Sequence, residues 1–164
     1  MKNYLFLMVV FFIFTPVNAQ DSVEALLKNY NSGSVPYISV EELRKKQLSG
    51  DVILLDTRSP EEFEVSHIEN AILVGYDDFD LTRLPDVSRK KAIIVYCSLG
   101  IRSEQIGEKL KKAGFENVQN LFGGIFEWKN AGFPVLDPAG NPTEKVHAYS
   151  KQWSKWLKNA EKIY

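Results

Sequence analysis

The chain has one cysteine, Cys97, and two histidines among 164 residues. A single thiol cannot close a disulfide within the chain, so no cross-linked framework supports the fold. Cys97 with two widely separated histidines, His67 and His147, offers no metal-ligand cluster, so the sequence calls for no metal and no cofactor. Charge of one sign is missing too: 20 Lys and Arg against 21 Asp and Glu give a formal net charge of -1. That balance gives no reason to expect nucleic-acid binding, and the interleaved run Glu41-Glu42-Leu43-Arg44-Lys45-Lys46 reads as a solvated helix face. Repeats and low-complexity stretches are absent, while 45% hydrophobic and 25% charged residues suit a globular domain. At this length the chain has room for one compact domain with terminal extensions.

Long hydrophobic runs are also missing. The longest, Tyr4 to Phe14, falls short of the roughly 20 apolar residues that cross a bilayer. Lys2 before it, Pro16 after it and the small-residue site Val17-Asn18-Ala19 make residues 1–19 a signal peptide, cleaved before Gln20. An uncleaved anchor is the alternative. No cysteine stands directly after the run, at the cleavage site, which excludes a lipoprotein anchor. The expectation is a periplasmic or secreted protein with no stable membrane anchor once the leader is removed.

Residues 20–35 read as an N-terminal helix, with Val23, Leu26, Leu27 and Tyr30 at helical spacing, and a linker around Asn31-Ser32-Gly33-Ser34. From residue 36 short apolar runs alternate with capped helices. Ser39-Val40-Glu41-Glu42 and Ser59-Pro60-Glu61-Glu62 are capping boxes, the second with proline at the first helical position. Val52–Leu55, Ala71–Val74, Ala92–Tyr96 and Val118–Leu121 read as strands, and continuous apolar runs suit strands buried on both faces. Helices follow over Arg102–Lys112 and from Gly123-Gly124 through Trp128. The alternation predicts an α/β domain over residues 36–137, with a central, mainly parallel sheet flanked by helices. A turn-rich break at 137–142 opens the last segment, residues 138–164. There Val146, Tyr149, Trp153, Trp156, Leu157 and Ala160 fall on one helical stripe. This predicts a C-terminal amphipathic helix docked on its own domain, with partner binding as the alternative.

Chemistry concentrates at Cys97-Ser98-Leu99-Gly100-Ile101-Arg102-Ser103. Cys97 lies between the end of a buried strand and the start of a helix, where strands of a parallel sheet present ligands. Unpaired N–H groups and the positive helix end favour a thiolate, and Gly100 permits a tight turn whose N–H groups form an anion nest. Arg102 adds a fixed positive charge at the loop mouth. Thiolate is the nucleophilic form, so Cys97 is the candidate nucleophile; a buried, inert core thiol is the plainer alternative.

Asp56-Thr57-Arg58, then Glu62-Phe63, then His67-Ile68 and Ala71, together with the Cys97 loop and the closing Gly114-Phe115 to Trp128 stretch, resemble the three ordered motifs of the rhodanese family. The exported single-domain form is similar to phage-shock-type periplasmic rhodaneses. Ser66 and Asn70 stand where that family usually has glycine. The resemblance implies a sulfurtransferase that moves a sulfane sulfur from a small donor such as thiosulfate to a thiophilic acceptor, through a persulfide on Cys97. Ser98, Leu99, Gly100, Ile101, Arg102 and Ser103 would bind substrate, and Arg58 is counted as able to lean into the same pocket. For Asp56 and Arg58 it also implies a structural ion pair, and His67 reads as a turn-stabilising side chain. Cysteine phosphatases, by resemblance, need five residues between cysteine and arginine; Cys97 and Arg102 have four between them, which favours sulfur transfer. The other class of reading is a non-catalytic binding module, or a persulfide or redox carrier acting on a partner protein. Leu99 and Ile101 give the loop an apolar character that leaves the donor open.

Overall fold

A computed structural model of the chain describes residues 22–84 and 86–164; the expected leader lies outside the described residues. Helix α1, Val23–Tyr30, starts at Ser22, whose side chain accepts from the Ala25 N–H. The two capping boxes form as their sequences predict. Ser39 opens α2, Val40–Ser49, which stops at Gly50, and Ser59 opens α3, Pro60–Val65.

Five strands make the main sheet: β1 (Tyr37–Ile38), β2 (Val52–Asp56), β3 (Ala71–Leu73), β4 (Ala92–Tyr96) and β5 (Val118–Leu121). Their spatial order is β1-β5-β4-β2-β3, and every pairing is parallel. A parallel sheet needs crossovers that cover both faces, and the alternation along β4 reflects this. Ile93 and Val95 join one buried cluster with Leu55, Ile106 and Leu110, while Ile94 and Tyr96 join the other with Leu54, Leu121 and Trp128. Helix α4, Ile101–Lys112, contributes Ile106 and Leu110 to the first cluster, and α5, Gly124–Asn130, contributes Ile125, Phe126 and Trp128 to the second.

The register places Asp56 beside Tyr96. The carboxyl ends of β2 and β4 therefore deliver Asp56-Thr57-Arg58 and Cys97 to the same edge of the domain. Asn70 takes the left-handed backbone, φ 62°, at the position where glycine would be unstrained.

The tail is docked on the domain, but it is not a helix. Strands β6 (Val135–Leu136) and β7 (Pro142–Thr143) form a small antiparallel pair. Beyond them β8 (Lys145–His147) and β9 (Glu161–Ile163) pair in parallel, joined through a short 3₁₀ turn at Trp153–Trp156. Two features break the expected helix. Tyr149 adopts φ 63°, outside the right-handed helical region. Asn130 of α5 takes the tail's backbone polar groups for itself, donating to the Trp156 carbonyl (2.8 Å) and accepting from the Lys158 N–H (2.7 Å). Val146, Ala148, Trp156 and Leu157 are buried all the same. The apolar stripe reports burial, which a folded-back clasp satisfies as well as a helix face does.

Candidate active site

Strand β4 is buried along nearly its whole length, and it carries Cys97 into the gap between the sheet and α4. The chain must turn at once into α4, and Gly100 caps that helix with φ 112°, a backbone open to glycine at little cost. There is no room for more: a Cβ at Gly100 would lie 3.3 Å from the Leu121 carbonyl oxygen.

The loop's carbonyls are drawn away from the sulfur. The Cys97 and Ser98 carbonyls accept from the Ile125 and Phe126 N–H groups at the start of α5, at 3.0 and 3.2 Å. The Gly100 carbonyl accepts from Nδ2 of Asn120 (2.8 Å) and from Nδ2 of Asn31 (2.9 Å). Donors are left facing Sγ. The Gly100 N–H lies 3.1 Å from it, and the Ser103 hydroxyl 3.6 Å. Ser103 Oγ is also 2.7 Å from Oδ1 of Asn120, and its single proton serves one of the two at a time.

Burial of Cys97 pushes the thiol pKa up, but the Arg102 charge and the hydrogen bonds from Ser103 and Gly100 outweigh it, so the pKa falls below its ordinary value. A lowered pKa favours the thiolate, which is the nucleophilic form of the side chain.

At the mouth, Glu62 organises the charge. This carboxylate stands at the third position of α3, where one oxygen accepts from the Ser59 N–H of the capping box (3.1 Å). The same group accepts from Arg102 Nη1 (2.7 Å), from Arg102 Nη2 (2.8 Å) and from the Ser98 hydroxyl (2.9 Å). Burial alone would raise its pKa. Hydrogen bonds and charge from Arg102, helped by Arg58, bring it down to about 2. The outer face of the Arg102 guanidinium is covered by the Tyr149 ring, 4.6 Å from its centroid.

Of the residues singled out from sequence, Cys97, Ser98, Leu99, Ile101 and Arg102 line one cleft, joined by Tyr149 and Trp153. Gly100 and Ser103 sit behind the sulfur and hold it. Arg58 does not lean into the pocket. Its side chain is fully buried, donating to both Asp56 oxygens (3.0, 3.1 and 2.7 Å) and to the Ser66 carbonyl (2.7 Å). The ion pair ties the end of β2 to the turn after α3, a structural role. His67 likewise holds a turn: its ring stacks on Phe63 at 4.0 Å, and its backbone bridges to Leu136.

Glu62, Asn120, Tyr149 and Trp153 were not singled out as site residues by sequence reasoning. Glu62 carried a visible signal, the capping box, which accounts for one of its bonds and conceals the others. Asn120 is a polar residue inside a buried strand, and such a group needs partners.

A five-stranded parallel sheet with a cysteine loop between its central strand and the next helix defines the class. The chain belongs to the rhodanese-like domain family, whose pattern matches residues 39–131. It is similar to a tRNA uridine(34) hydroxylase of Photorhabdus laumondii, 35% identical over 109 residues, which are 60% of this chain and 31% of that protein. The chain thus spans about a third of the length of such relatives. Among solved structures it resembles the rhodanese-like domain of an Anabaena protein, with TM-score 0.56 and 26% identity over 62% of this chain and 79% of that one. It also shares its fold with a human single-domain sulfurtransferase, TM-score 0.52 and 23% identity over 58% of this chain and 96% of that one.

Proposed function

We propose that the chain is an exported sulfurtransferase working by double displacement through Cys97. The thiolate attacks the sulfane sulfur of a donor; a new S–S bond forms, the donor's S–S bond breaks, and the leaving group departs with the electron pair, as sulfite does from thiosulfate. An acceptor nucleophile then attacks the outer sulfur and regenerates the thiolate. The step needs no metal, cofactor or oxidant. One observation carries the reading: Sγ sits among donors, with the Gly100 N–H at 3.1 Å, while the loop carbonyls are bonded elsewhere. Cys97 is only 2% exposed, and an added sulfur would extend the reactive atom by about 2 Å toward the mouth. The four-residue spacing to Arg102 suits one sulfur atom better than a tetrahedral phosphoryl group.

The test is intact mass after treatment with thiosulfate, polysulfide and thiosulfonate donors. One added sulfur is expected on the native chain, and none on Cys97→Ser. Native protein that gains sulfur from none of them, or that hydrolyses aryl phosphate faster than it transfers sulfur, would overturn the reading. Export rests on the leader pattern of residues 1–19, and mature protein beginning at Gln20 is the expected result of N-terminal sequencing.

A further inference from the structure

The cleft over Cys97 is walled by hydrocarbon and aromatic side chains, and it is short of positive charge. Leu99 and Ile101 come from the cysteine loop, and Tyr149 and Trp153 close the opposite side from the tail. Trp153 is anchored in turn by Tyr30 of α1, edge to face at 5.8 Å. Both aromatic residues lie outside the stretch that matches the family. Among the described residues Arg102 is the only basic side chain lining the cleft, and Glu62 already holds it through two hydrogen bonds. With the thiolate formed, these three groups sum to one negative charge before any donor arrives. A dianion such as thiosulfate meets repulsion there, and the described residues line the cleft with no further cation to offset it.

We propose that this cleft selects sulfane-sulfur donors that carry an apolar, preferably aromatic, group and at most one negative charge, with Trp153 and Tyr149 as the residues that set this specificity. The proposal rests on the sulfur-transfer reading. The cleft holds about 100 Å³ and opens to solvent beside Trp153 and the loop, so a ring bound there is only partly buried. For an aryl thiosulfonate the step balances: Cys97–S⁻ and ArSO₂–S⁻ give Cys97–S–S⁻ and the sulfinate ArSO₂⁻. One S–S bond forms and one breaks.

The experiment compares kcat/KM for benzenethiosulfonate, methanethiosulfonate and thiosulfate, with cyanide as acceptor, on the full chain. Dividing the aryl-to-methyl ratio by the same ratio for free cysteine removes the donors' intrinsic reactivity. Each buried methylene is worth about fourfold, so a partly buried ring should give a corrected ratio of at least about ten, with thiosulfate slowest. Trp153→Ala should bring the ratio to within about threefold of one, and Trp153→Phe should restore most of it. Tyr149→Asn, which tolerates the left-handed backbone, should lower it too and carries the test if Trp153→Ala fails to fold. A corrected ratio near one in the native chain, or one unmoved in the variants that fold, overturns the proposal while leaving sulfur transfer standing. Transfer from none of the three donors overturns this proposal, and sulfur transfer itself falls only if polysulfide also leaves Cys97 without an added sulfur by intact mass.

Discussion

The Glu62 carboxylate and the Arg102 guanidinium meet in two parallel hydrogen bonds, Nη1 to Oε2 at 2.7 Å and Nη2 to Oε1 at 2.8 Å. Paired charges in this geometry are strong and orienting. The pair fixes Arg102 beside the sulfur while cancelling much of its field.

Acid should reveal that pair. The Glu62 pKa is lowered in the folded chain, to about 2, so its stabilisation is fully present above the ordinary value of 4.5 and is lost as the pH falls from there toward 2. Between pH 6 and pH 3 the native chain should lose about 2 kcal/mol more than Glu62→Gln, which has no carboxyl to titrate. Urea unfolding at the two pH values measures the difference. Equal losses would mean that the pair contributes little net stability.

Cys97 should alkylate with a pH midpoint below that of a free cysteine, since its folded pKa is lowered and the thiolate persists to lower pH. Arg102→Ala should move that midpoint up and slow the first half-reaction by roughly 10²-fold without abolishing it, because the backbone donors remain. Glu62→Gln should move it down, since the charge opposing Arg102 is gone. A thiol that titrates like free cysteine in all three proteins would show that the loop exerts no net field on the sulfur.

Gly124 should resist any side chain. Its φ is 56°, and a Cβ there would run into the Cys97 carbonyl oxygen and lie 2.7 Å from that of Ser98. Both contacts are backbone, so neither can swing aside. Gly124→Ala should cost on the order of 1–3 kcal/mol and should slow sulfur loading more than Gly132→Ala, where the space is open. Thermal melts and loading rates on both variants separate backbone strain, common to both, from displacement of the cysteine loop.

Trp156 should matter for its buried ring rather than for its indole N–H. It is 8% exposed, and its buried Nε1 has no hydrogen-bond partner. Trp156→Ala should cost about 3–5 kcal/mol, and Trp156→Phe far less, since no hydrogen bond is lost with the indole. Similar melting temperatures for Trp156→Ala and the native chain would mean that the tail is only loosely held.

Much of the framework was legible because local rules and tertiary packing agree. Val52–Leu55 and Ala92–Tyr96 are continuous apolar runs, as suits doubly covered strands, and both capping boxes start helices where expected. The tail was legible as docked but not in shape. Pairing Lys145–His147 with Glu161–Ile163 is a contact across sequence that no local period encodes. In the site the cysteine loop could be read directly, because its residues are contiguous. Glu62 and Trp153 reach it from elements 35 residues before and 56 residues after Cys97, and only the fold brings them there. Arg58 was misplaced for a related reason: the end of its strand points at the site, but its guanidinium turns back to Asp56.

The parallel pairing of β8 with β9 has a consequence for when the site becomes whole. Tyr149 and Trp153 lie between the two strands in sequence, so the wall they form is a loop closed at its base by the pairing of Glu161–Ile163 with Lys145–His147. Without that pairing the wall should loosen and the thiol become more accessible. Clipping within β9 should therefore register as faster alkylation of a cysteine more than sixty residues away, so that the thiol reports the completion of folding.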